Sequence, residues 1–104
     1  MNPRRSGEGV RRTEREIAAE KAATLGRAGE RLEAALRELA VVHARFVSAT
    51  DPAARERLAH EHERARQAAL VARRTLLIQR EALGLRQHRV VDELYPEPPR
   101  LSGS

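Results

Sequence analysis

Val47-Ser48-Ala49-Thr50-Asp51-Pro52-Ala53 is the stretch that decides the fold. Asp is a strong helix N-cap, and Pro at the next position fits the first helical turn, where its missing N–H has no partner to lose. The residue before a proline is also biased out of the helical region. One helix therefore ends and another starts within a few residues, and so short a connection makes the two antiparallel neighbours.

Upstream of this turn, Leu25, Leu32, Leu39 and Phe46 recur every seven residues, and Ala28, Ala35, Val42 and Ala49 follow each by three. That is a heptad seam, with Glu20, Arg27, Glu30, Arg31, Glu33 and Glu38 off it. Thr13-Glu14-Arg15-Glu16 has the form of a capping box. The pattern predicts a first helix over 13–49, the turn at 50–51 and a basic flexible arm over 1–12 carrying Arg4, Arg5, Arg11 and Arg12. Gly26 and Gly29 weaken the helix, and Gly29 lies beside the seam where a close neighbour could approach.

Downstream, His62, Ala69, Leu76, Leu83 and Val90 form a second seam, with Leu58, Ala65 and Ala72 beside it. This predicts a second helix over 52–94, stopped by Tyr95-Pro96-Glu97-Pro98-Pro99. With the turn at Thr50–Asp51, residue i lies level with about 101 − i, so Leu32 faces Ala69 and Leu39 faces His62. The fold class is all-α, a long antiparallel two-helix hairpin of coiled-coil character over 13–95. The Pro-rich tail over 96–104 favours an extended polyproline form, with Tyr95 and Leu101 as its anchors.

Composition agrees. The 104 residues include 18 alanines and only two aromatic side chains, Phe46 and Tyr95, which suits long helices better than a compact globule. Cysteine is absent, which excludes disulfides, a thiolate nucleophile and Cys-ligated zinc. No apolar run approaches the length of a membrane span, so the expectation is a cytoplasmic protein with no membrane contact.

The second helix carries more apolar surface than one neighbour can cover. Leu70 and Leu77 fall roughly opposite its seam, and Val71, Ile78 and Leu85 broaden the main stripe. A lone hairpin buries little area for its length, which predicts an oligomeric helical bundle, a homodimer above all, through Leu70, Val71, Leu77, Ile78 and Leu85. The net charge is +5, and Arg66, Arg73, Arg74, Arg80, Arg86 and Arg89 form a basic strip for phosphates or an acidic protein. Aromatic platforms for stacking bases are missing.

Chemistry-bearing groups are few. His43 and His62, with Glu38 or Glu61, are the one set that could approach zinc. Its ordinary reading is a polar pair near the turn. No Glu-x-x-His occurs, so the carboxylate cage that facing helices build for di-iron is not available. Carboxylates sit beside arginines, as in Glu33–Arg37, rather than paired in a pocket. The sequence thus predicts no catalysis, no cofactor, no metal and no small-molecule substrate. It predicts a helical protein–protein interaction module, an adaptor, scaffold or regulatory subunit. The alternative is a sequence-nonspecific nucleic-acid-binding hairpin that uses the arginine strip.

Overall fold

The computed structural model describes residues 3–101, with side chains from residue 7 onward. The ends of the expected arm and tail, residues 1–2 and 102–104, and the side chains of Arg4 and Arg5 lie outside the described residues. Three helices follow in order: α1 (Pro3–Ser48), α2 (Pro52–Ala82) and the short α3 (Arg89–Leu94). No strand occurs among the described residues. The two long helices pack side by side in an all-α hairpin 77 Å long and 21 by 15 Å across.

The turn is built as the sequence dictates. Asp51 is the N-cap of α2, and its Oδ2 accepts from the Ala54 amide at 2.9 Å. A second device adds to it. Arg55 lays its guanidinium 4.2 Å from the Phe46 ring centroid, and its Nη1 donates to the carbonyls of Phe46 and Ala49 at 2.9 and 3.0 Å. Carbonyls at a helix C-terminus lack intrahelical partners, and although that of Phe46 also accepts from the Ala49 amide at 3.3 Å, Arg55 adds a donor to both. One side chain of α2 thereby closes α1.

The buried residues of α1 and of the first part of α2 fall on the expected seams. Leu32 and Ala69 are fully buried, and Leu39 and His62 are buried along with Ala28, Val42 and Leu76. Across the two helices Ala28 and Leu32 cluster with Leu76.

Both outer boundaries differ from the sequence reading. Helix α1 starts at Pro3 rather than at Thr13, so residues 3–12 are helical. Thr13 is an interior position, and its hydroxyl donates to the Gly9 carbonyl at 3.0 Å, the back-bond of a mid-helix threonine. The capping box is not formed. Helix α2 stops at Ala82, twelve residues short of the expected end. The reason is Gly84, whose φ of +86° places it in the left-handed region that favours glycine. The amide of Leu85 donates to the Arg80 carbonyl and that of Gly84 to the Glu81 carbonyl, both at 2.9 Å, which is a Schellman close. The chain reverses there, and α3 returns to put Val91 in the core with Ala28, Leu32 and Leu76.

Candidate interaction surface

Two rows of α2 that the sequence grouped together have different fates. The first is Arg66, Leu70, Arg73, Leu77 and Arg80, spaced alternately by four and three, so that all point the same way. This row holds the returning chain. Arg73 is buried, with Nε donating to the Tyr95 carbonyl at 2.7 Å and Nη2 to Asp92 at 2.5 Å, and with Glu97 at 3.8 Å from Nη1. Arg66 donates through Nε to the Pro98 carbonyl at 3.0 Å and pairs with Glu63. Arg80 donates to the Gln87 carbonyl at 3.0 Å. Leu77 packs against the core cluster, Leu70 is half-buried, and the Tyr95 hydroxyl donates to Glu33 on α1. That bond lies on the protonated phenol and raises the pKa of Tyr95 above its ordinary value.

Leu70 and Leu77 are therefore half-buried within the chain rather than fully outward. The chain's own residues 89–98 line that side of α2, an arrangement that hairpin counting misses. Nor are Arg66, Arg73 and Arg80 outward cations. They hold backbone carbonyls of the returning segment. Arg89 is exposed and pairs with Glu93 at 2.9 Å. Arg74 and Arg86 remain exposed. The six-residue basic strip is thus broken into separate groups. Arg80, Arg86 and Arg89 do share a cleft of about 490 Å³ with Leu85, Val90 and Glu93.

The second row is Ala68, Val71, Thr75, Ile78 and Ala82, again alternating three and four, with Leu85 just past the helix end. Here Val71 is 55% and Ile78 57% exposed, and Leu85 is 42% exposed. Ala68, Val71, Ala72 and Thr75 line a groove of about 200 Å³ with Ala28 and Arg31 of α1. Ala68 and Ala82 are exposed as well, while Thr75 between them is half-buried.

The third surface is the first part of α1. Ala82 is level with about residue 19, so the preceding stretch of α1 projects beyond α2 by roughly 18 Å from residue 7. Every residue from Glu8 to Thr24 is exposed, Val10 and Ile17 among them. A stretch of helix this short is marginal in water without packing.

The histidines form a separate cleft of about 360 Å³, lined by Leu36, Leu39, His43, His62, Pro99 and Leu101 among others. Leu101, the expected tail anchor, is half-buried there. The His43 and His62 rings lie 5.7 Å apart between centroids. Burial lowers the His62 pKa below its ordinary value, and the neighbouring His43 adds to this. No group of three or more metal-ligating side chains comes together among the described residues. No described helix is long and apolar enough to cross a membrane.

Comparison of the chain with protein-family models, curated proteins and solved structures finds no match in any of the three.

Proposed function

We propose that this chain is a helical protein–protein interaction module, an adaptor, scaffold or regulatory subunit that works through self-association and partner binding. The observation that carries this reading is the outward row Ala68, Val71, Thr75, Ile78 and Ala82. It has the spacing that packs helix on helix, and its two large members, Val71 and Ile78, are more than half exposed. Burying a large aliphatic side chain stabilises by roughly 1.5–3 kcal/mol, so Val71 and Ile78 alone offer a partner an appreciable gain. The projecting first part of α1 supports the same reading, because a neighbour would supply the packing that it lacks. Dispersal of the arginines among intramolecular partners weakens the nucleic-acid alternative.

The test is mass in solution, by sedimentation equilibrium or light scattering over a wide concentration range. The expected result is a dimer or larger that persists at high salt, because the centre of the contact is apolar. A monomer at high micromolar concentration sinks the self-association reading.

A further inference from the structure

We propose that the exposed row of α2 is the contact between two copies of this chain, packed antiparallel about a two-fold axis near Thr75–Ile78. The proposal rests on the self-association reading and names its surface and register. Three observations select it.

The first is size matching within the row. In an antiparallel coiled coil each layer pairs an a position with a d position. Taking Ala68, Thr75 and Ala82 as one set and Val71 and Ile78 as the other, residue i faces about 153 − i of the second copy. Val71 then meets Ala82, and Ile78 meets Thr75. Each layer sets a large side chain on a smaller one, and two-fold symmetry repeats both.

The second is charge. Arg74 and Glu81 flank the row on one side, seven residues apart, and both are exposed. In this register Arg74 comes beside Glu81 of the second copy, and Glu81 beside its Arg74. The pair is self-complementary. Glu81 already accepts from His88 at 2.9 Å, but a carboxylate has room for several donors.

The third is length. Helix α1 has 46 residues against 31 in α2, so one α2 leaves part of α1 without a neighbour. A second α2 in this register lies beside the first and extends past its end. Val10 and Ile17, bare in the single chain, come level with the second copy near its His62 and Ala69. One arrangement thus covers the row, pairs the flanking charges and gives the projecting part of α1 a neighbour.

The experiment is charge reversal with mixing, in the full chain at low salt. Arg74→Glu and Glu81→Arg should each weaken self-association about tenfold, since each turns two attractive pairs into repulsive ones. Mixed together, the two variants should prefer each other, because the heterodimer restores both opposite-charge pairs. Ile78→Glu should abolish association in any combination. The helical circular-dichroism signal checks that each variant is folded. As an independent readout, Val71→Cys with Ala82→Cys should give covalent dimers with a short bis-maleimide in this otherwise cysteine-free chain. A wild-type dimer with no preference for the mixed pair and no such cross-link overturns this register while self-association stands. A wild-type monomer overturns both.

Discussion

Arg73 reaches across 22 residues of sequence to the backbone carbonyl of Tyr95, at 2.7 Å, and is buried while doing so. A buried guanidinium is tolerated only when it is paired and hydrogen-bonded, and here Asp92 and Glu97 supply the charge. The bond ties the third helix to the second. Arg73→Ala should therefore lower unfolding stability by about 2 kcal/mol, the range for hydrogen bonds to charged groups. Arg73→Lys should recover only part of this, since an ammonium lacks the planar fork. Chemical denaturation measures both. Equal stability of Arg73→Ala and wild type would mean that the segment after Gly84 is not held by this contact.

Adjacent residues should behave in opposite ways. Leu77 packs against the core cluster, whereas Ile78 is 57% exposed. Leu77→Glu should strip helical signal or cost more than about 3 kcal/mol, because it buries an unpaired carboxylate. Ile78→Glu should keep the helical signal and lose self-association. Circular dichroism and sedimentation on the two variants separate these effects.

The hairpin was legible because its signals are local and agree with each other. Asp51-Pro52 sets the turn, and the heptads on either side set the buried faces. What escaped was anything that needed the chain to double back a second time. Leu83-Gly84 carried a stop signal, but the heptad through Leu83 and Val90 ran over it and concealed it. Once the helix breaks at Gly84, Val90 leaves the seam for an exposed position and Val91 takes the buried one. The arginines misled for a related reason. On a helical projection Arg66, Arg73 and Arg80 look solvated, because projection cannot show a later segment supplying carbonyls. Of the expected surface, Val71, Ile78 and Leu85 are exposed as the projection suggested, while Leu70 and Leu77 are not.

Stability should fall on acidification through His62. Its folded pKa lies below the ordinary value of 6.5, chiefly through burial, then through His43, with Arg66 adding and Glu63 opposing. The unfolded chain thus takes up a proton at higher pH than the folded one. The contribution of neutral His62 is complete above about pH 6.5, declines as pH drops from there toward the folded value, and levels off below it. Replacing His62 by Leu should flatten this part of the curve, as read from denaturation midpoints between pH 7.5 and about 5. An unchanged slope would assign the effect to other groups.

Gly26 and Gly29 both lie within α1, and a methyl group added at either would meet nothing within 4 Å. The expectation that Gly29 admits a close neighbour within the hairpin is not met. Gly26→Ala and Gly29→Ala should each raise stability by up to about 1 kcal/mol through helix propensity. Thermal melts check this at low protein concentration, where association contributes little.

Nucleic-acid binding should be weak and carried by few contacts. If duplex DNA binds at all at low salt, the slope of log affinity against log salt should correspond to two or so phosphates, at about 0.9 per contact. Reversal of Arg74 and Arg86 should remove it. A slope above about five would revive the arginine-strip reading.

The order in which a ribosome makes this chain gives the Gly84 reversal a further consequence. Both long helices are complete before residues 89–98 emerge, so the nascent hairpin shows Leu70 and Leu77 and leaves Arg73 without its carbonyl. During that interval the incomplete chain bares these two leucines in addition to the outward row, and exposed apolar surface of this kind drives aggregation. A message truncated after codon 86 should accordingly yield a helical but sticky product that co-sediments with chaperones, whereas one that continues through Leu101 should not.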